Sequence, residues 1–201
     1  MLKIHGTVRS RTARTLWALE ELGVAYEHVP TDSSQAKSSG HLALNPNGHV
    51  PVLEDGPTVL WESMAINLYL AEKYGRAPFW PSLPEDHGRC YMWSFWAMTE
   101  LEPHLLTFLM HRVIYPAERR DEQAAKQAAD TLKAPLRMLN DHLAGRDYLL
   151  GSDFTVADLN VASVLSWALF GKLDLSGVPA AETWLSKCVK REANQRVYAM
   201  R

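Results

Sequence analysis

Cysteine is nearly absent from this 201-residue chain. Cys90 and Cys188 are the only two, and neither has a partner at disulfide-framework or zinc-ligand spacing. A stapled scaffold and a metal site are therefore set aside, and both thiols read as reduced packing residues. Charge of one sign is also lacking: a net charge of -2 gives no global pull toward nucleic acid or anionic lipid, so partner choice must come from a local site. No apolar run reaches spanning length, and the opening MLKIHG has no basic, apolar and cleavage-site pattern of a secretory signal. The chain is expected to be soluble and cytoplasmic. Internal repeats and low-complexity segments are missing too. What is abundant is apolar: 47% of residues against 22% charged is a globular balance, in a length that suits one domain or two small ones.

The pattern of apolar positions divides the chain. Residues 2–6 read as a strand, and Ala13, Leu16, Trp17, Leu19 and Leu22 recur at helical spacing over Ser10 to Leu22, with Gly23 as a stop. Residues 25–29 alternate as a second strand, and 31–40 are polar enough for a loop or short irregular helix. Strands at 50–53 and 58–61 flank the hairpin signal Glu54-Asp55-Gly56-Pro57, and a helix from Met64 to Tyr74 ends at Gly75. This βαβ-ββα order is an α/β domain over 1–75. The segment GRAPFWPSLP is rich in proline, so 76–84 reads as a linker. From residue 85 to 201 no strand signal remains: 85–114, 118–143, 155–170 and 179–192 all carry helical periodicity, which predicts an all-α second domain. Pro135 should kink the second of these helices, and the charged run Glu118 to Glu122 reads as its solvated first turn.

The stretch NPNGHVPVLEDGPTVLWES, residues 45–63, holds two features with double readings. Val50-Pro51 is either a plain strand-edge device or a cis peptide that leaves the Val50 backbone to an extended ligand. Glu62-Ser63 is either a helix start capped by Ser63, or a receptor for an amino acid, with the helix end and Ser63 hydroxyl on its carboxylate and Glu62 on its ammonium. Together with Asn45-Pro46 and the all-helical second half, this order of motifs resembles the cytosolic glutathione transferases over essentially the whole chain. The resemblance implies a thioredoxin-like first domain that binds glutathione as co-substrate, and a helical second domain that holds the electrophile. It implies that Val50 bonds the backbone of the glutathione cysteine, and that Glu62 and Ser63 grip the γ-glutamyl end. Many relatives carry lysine or glutamine where this chain has His49, so the glycine carboxylate falls to His49, His41 or Lys37.

Residues 6–23, GTVRSRTARTLWALEELG, resemble the serine-type members, such as the phi and theta classes, in which a serine stands four residues before an arginine as Ser10 stands before Arg14. Glutathione is a weak nucleophile until ionised. A hydroxyl donating to sulfur at the positive end of a helix favours the thiolate, so Ser10 is the candidate catalytic residue, with Thr12 as the rival hydroxyl. The plain alternative is that Ser10 only caps the helix. Arg14 is expected to be structural. No cysteine lies in this loop, which argues against disulfide exchange.

In the second half, Thr155 and Asp158 have capping-box spacing and Phe154 and Leu159 the positions of a hydrophobic staple, ahead of a helix apolar almost all round. This resembles the family's capping motif and is assigned to folding. His104, Phe108, His111 and Tyr115, late in the 85–114 helix, are by the same resemblance the electrophile pocket. The expected function is addition of the glutathione thiolate to small apolar electrophiles by a homodimer. The alternatives are a glutathione-dependent peroxidase, dehalogenase or isomerase on the same site, or a non-catalytic adaptor, which would not need Ser10, Val50, Glu62 and Ser63 together.

Overall fold

The structure is a computed structural model that describes Met1 to Met200. It divides into two compact units, one formed by residues 1–80 with the tail from Arg191, the other by Pro81–Lys190.

In the first unit, strands β1 (Leu2–His5), β2 (Tyr26–Val29), β3 (Val52–Asp55) and β4 (Thr58–Trp61) form one sheet in the order β2-β1-β3-β4. Leu2 and Ile4 are buried while Lys3 and His5 are half-exposed, the two-residue alternation of a strand with one covered face. β1 and β2 are parallel, which requires a crossover, and helix α1 (Thr12–Leu22) supplies it. β3 runs antiparallel to both β1 and β4. The segment read as a loop holds a 3-10 turn at Gln35–Lys37 and helix α2 (Ser39–Leu44). Helix α3 (Ser63–Tyr74) packs on α1, burying Ile66, Leu70 and Ala71. It ends at Gly75, where a Cβ would stand 2.3 Å from the Ala71 carbonyl oxygen, so only glycine lets the chain turn away there.

At one end of the sheet, Val29, His5, Val52 and Trp61 pair in a single row across all four strands. Beyond that row the chain leaves β1 at Gly6, enters β3 from Pro51 and leaves β4 at Glu62. The three sequence motifs of this half are therefore neighbours along one sheet edge.

The second unit is helical. Helix α4 (Pro84–Trp96), a π-turn (Ala97–Leu101), helix α5 (Glu102–Leu109) and a second π-turn (Met110–Ile114) follow one another without a break, where the periodicity gave one regular helix. Helix α6 (Glu122–Leu143) continues through Pro135. Its start differs from the expected one at residue 118: Ala117–Arg119 is a separate 3-10 turn, and Asp121 is the N-cap, accepting the Gln123 and Ala124 N–H groups at 2.9 and 3.0 Å. Helix α7 (Val156–Gly171) is buried on nearly every side, and α8 (Pro179–Val189) packs against α6 and α7. The capping box is present. Asp158 Oδ2 accepts the Thr155 N–H at 3.0 Å and hydroxyl at 2.9 Å, while Oδ1 accepts the Leu149 N–H at 2.8 Å and the Trp184 indole N–H at 2.9 Å. Burial pushes the Asp158 carboxyl pKa up, and these donors pull the other way.

Helix α9 (Glu192–Ala199) departs from the expected division, which placed 85–201 together. It groups with the first unit because α9 packs on α1. Arg191 also grips Glu21 through two bonds of 2.7 and 2.8 Å, and Arg196 bonds Glu20 at 2.6 Å.

Candidate active site

The loop after β1 carries the hydroxyl. Helix α1 starts at Thr12, two residues later than the periodicity indicated, so Ser10 lies in the turn that precedes it. Its Oγ accepts the Thr12 N–H at 3.2 Å, and lies 2.8 Å from the Thr7 carbonyl oxygen and 2.9 Å from Thr12 Oγ1. Ser10 thus accepts the turn's N–H with a lone pair while its single proton rests on the Thr7 carbonyl or Thr12, from which it must turn to serve a ligand. Capping and donation to a ligand are compatible. No acidic residue lies in the first turn of α1, so nothing there offsets the helix's positive end. Thr12 is fully buried, with 0% exposure, which leaves Ser10 the more accessible of the two hydroxyls. Arg14 is likewise buried, in keeping with a structural role.

Gly6 joins this loop to the next. Its φ is +132°, and a Cβ there would meet Thr12 Oγ1 at 1.9 Å and Val50 Cβ at 3.0 Å. The Ser10 turn and Val50 are therefore held against each other by a position that tolerates no side chain.

The Val50-Pro51 peptide is cis. β3 starts only at Val52, and among the described residues no hydrogen bond uses the Val50 N–H or carbonyl. The residues around it are firmly fixed. The His49 carbonyl accepts from His41 Nε2 and Asn45 Nδ2, both at 2.9 Å, so the proton of His41 sits on Nε2. Asn45 Oδ1 accepts the Asn47 N–H at 3.0 Å, and Lys37 Nζ donates to the Asn47 carbonyl at 3.2 Å. Among the three side chains weighed for the glycine carboxylate, His41 is buried and committed to His49. Lys37 is exposed but tied to the loop, and the His49 ring is exposed. The role of Asn45 as a brace was not foreseen, although an Asn-Pro-Asn-Gly run is a turn signal whose first side chain bonds its own loop.

At the third position along the edge, Glu62 rather than Ser63 is the N-cap of α3, correcting the capped-helix reading. Glu62 has φ +74° and ψ +113°, a conformation that costs a residue with a Cβ on the order of 1–3 kcal/mol. It is exposed, while Ser63 is buried as the first helical residue. The Ile66 N–H bonds the Glu62 carbonyl at 2.9 Å. The helix start, which follows directly on the end of β4, has no side-chain cap on its first-turn N–H groups. Neighbouring strands lie about 4.8 Å apart, so the loop after β1 and the start of α3 stand roughly 10 Å apart across two strand gaps.

In the helical unit the four pocket candidates do not share one setting. Phe108 is buried against Ala125 and Ala128, and lines a cavity of about 560 Å³ with Arg112, Lys126 and Lys172. His104, His111 and Tyr115 lie outside that lining. His111 Nδ1 accepts the Asp121 N–H at 3.0 Å, its ring meets the Tyr115 ring edge-on at 5.1 Å, and His104 is half-buried on α5. The second π-turn intervenes between Phe108 and Tyr115, and its wider turn rotates later side chains away from the face that a regular helix would give them.

Among the described residues, no group of three His, Cys, Asp or Glu side chains could hold a metal ion, and no helix is long and apolar enough to cross a membrane. Residues 2–72 match the family model described as the glutathione S-transferase N-terminal domain, and residues 93–192 match that of the C-terminal domain. The chain is 30% identical to glutathione S-transferase GstB of Escherichia coli strain K12, over 98% of this chain and 97% of that protein. It is 31% identical to the probable glutathione S-transferase GSTF2 of Oryza sativa subsp. japonica, over 99% and 96% of the two chains. Its fold is similar, with a TM-score of 0.89 and 30% identity over 97% of this chain and 95% of the other, to the theta class glutathione S-transferase from Xanthomonas axonopodis pv. citri with glutathione bound.

Proposed function

The chain belongs to the glutathione S-transferase family, and we propose that it transfers the glutathione thiolate to small apolar electrophiles, with Ser10 as the thiol-activating residue. The observation that carries this reading is the alignment of three groups along one sheet edge. A hydroxyl at Ser10, an unpaired backbone pair at Val50, and a carboxylate with a helix start at Glu62 and Ser63 follow one another over roughly 10 Å, the reach of an extended tripeptide. The cysteinyl backbone pairs with Val50 as an added strand would. The γ-glutamyl carboxylate takes the Ser63 hydroxyl and the free N–H groups of α3, and its ammonium takes Glu62. His49 and Lys37 are assigned to the glycine carboxylate, since both are exposed, His49 next to Val50 in the chain and Lys37 bonded to the Asn47 carbonyl of the same loop.

With the peptide so placed, its sulfur lies beside Ser10. The thiol proton leaves to water, Ser10 donates to the resulting thiolate, a carbon–sulfur bond forms with the electrophile, and any leaving group departs with its electron pair. Lowering a thiol pKa by about two units needs roughly 2.7 kcal/mol of preference for the anion. One hydrogen bond to a charged sulfur contributes about 1.5–3 kcal/mol and the start of α1 about 0.3–1 kcal/mol, which together suffice. On the helical unit the electrophile is assigned to the late part of the α4–α5 run, with rings from His104, His111 and Tyr115 and with Phe108 anchoring that run against α6. A cytoplasmic homodimer completes the proposal and is checked by sedimentation.

The test is retention on immobilised glutathione, turnover of an aromatic halide, and ultraviolet titration of bound thiolate in the wild type and Ser10→Ala. We expect binding by both proteins and a thiol pKa raised by one to two units in the variant, as roughly 1.5–3 kcal/mol of lost hydrogen bonding implies. An unchanged titration removes Ser10 from the mechanism.

A further inference from the structure

We propose that Thr12, which touches no ligand, is a positioning residue that sets the strength of Ser10 as a donor to the thiolate. This rests on the reading of the site given above. Thr12 is fully buried, with two contacts to the Ser10 oxygen: its backbone N–H at 3.2 Å and its hydroxyl oxygen at 2.9 Å. The pocket that holds this hydroxyl exists only because residue 6 is glycine, since a Cβ there would sit 1.9 Å from Thr12 Oγ1.

Counting protons shows what the arrangement does. Ser10 and Thr12 have one hydroxyl proton each. Without a ligand, the Ser10 proton goes to the Thr7 carbonyl at 2.8 Å or to Thr12. When a thiolate arrives, the Ser10 proton turns to the sulfur. The Thr7 carbonyl keeps the Ser10 backbone N–H at 3.0 Å, so releasing the hydroxyl strands no acceptor. The Thr12 hydroxyl has a long alternative of 3.4 Å to the His5 carbonyl and a shorter contact to Ser10 Oγ, so it turns its proton onto Ser10. The Ser10 oxygen then accepts from both the N–H and the O–H of Thr12 while donating to sulfur. A hydroxyl that accepts two hydrogen bonds is a stronger donor, because each bond in a chain polarises the next. Ser10 and Thr12 form a two-hydroxyl relay that ends on the sulfur, and only its outer member is open to the ligand.

The experiment compares wild type, Thr12→Val, Thr12→Ala and Thr12→Ser by ultraviolet titration of glutathione bound to the purified protein, with pH profiles of kcat and KM. Wild type and Thr12→Ser should share one thiol pKa. Thr12→Val, which keeps the shape and removes the hydroxyl, should raise it by on the order of half a unit, about a threefold loss of thiolate below that pKa, with KM for glutathione unchanged. Thr12→Ala against Thr12→Ser repeats the comparison without the methyl group, should Thr12→Val fold poorly. Identical titration of Thr12→Val or Thr12→Ala and wild type, or a loss confined to KM, overturns the relay while leaving Ser10 in place. Absence of any thiolate signal in the wild type overturns both the relay and the transferase reading.

Discussion

Glu62 offers a separation of binding from stability at a single position. Its φ of +74° and ψ of +113° place a residue with a Cβ in a sparsely populated region, at a cost of about 1–3 kcal/mol. Glycine relieves that cost, but its more mobile unfolded chain returns roughly 0.4–1 kcal/mol. Alanine loses the carboxylate and keeps the strain. Glu62→Gly should therefore be the more stable of the two variants by about 1 kcal/mol, a difference of roughly 2–4 °C in Tm for a protein of this size. This inverts the usual ranking of alanine over glycine. Both variants lose the carboxylate proposed for the ammonium of glutathione, a charge-assisted bond of about 1.5–3 kcal/mol, so both should bind glutathione roughly 10- to 150-fold more weakly. Thermal unfolding and calorimetric titration of the two variants read the two effects independently. Alanine as stable as glycine would refute the strain, and an affinity loss in only one of them would refute the placement of the γ-glutamyl group.

Asp158 is fully buried and its carboxylate serves Thr155, Leu149 and Trp184. Asp158→Ala leaves those four donors unpaired, at about 1 kcal/mol or more each, and urea unfolding should show a loss of roughly 4 kcal/mol or more. A loss under about 1 kcal/mol would mean that the box is dispensable. At the end of β3, Asp55 Oδ2 accepts from Lys73 at 2.5 Å, Tyr74 at 2.7 Å and Tyr69 at 2.8 Å. Burial works against the ionised form there, yet these donors together hold its pKa below the usual carboxylate range. The unfolded chain therefore binds this proton more readily, and the stabilisation is present above the unfolded pKa of about 3.9 and lost as pH falls through the lower folded value. The stability gap between wild type and Asp55→Asn should be constant near neutral pH and close below about pH 4. A gap that does not change with pH would assign the cluster to packing.

The βαβ-ββα order and the helical second half were legible because they rest on local signals: two-residue alternation in β1, the apolar set of α1, and glycine stops at Gly23 and Gly75. The candidate site residues Ser10, Val50, Glu62 and Ser63 were named through resemblance. The site's geometry was not legible, because only the pairing register puts His5, Val52 and Trp61 in one row and so brings the three loops together. The two π-turns have no compositional mark, since a shift of hydrogen bonding by one residue leaves apolar spacing nearly intact. Helix α9 could not be placed from its own residues, because what holds it includes the ion pair of Arg196 with Glu20, 176 positions earlier. The contest between Ser10 and Thr12 was undecidable in sequence, where both are hydroxyls beside a helix start. Burial separates them.

The central claim is that an extended tripeptide lies along the sheet edge with its sulfur at Ser10, and a crystal structure of the protein with glutathione tests it most directly. The account predicts the cysteinyl N–H and carbonyl paired with Val50, the γ-glutamyl group at Glu62 and Ser63, and the sulfur within about 3.5 Å of Ser10 Oγ, allowing for the size of sulfur. Glutathione seated elsewhere, or with its sulfur turned from the loop after β1, would contradict it.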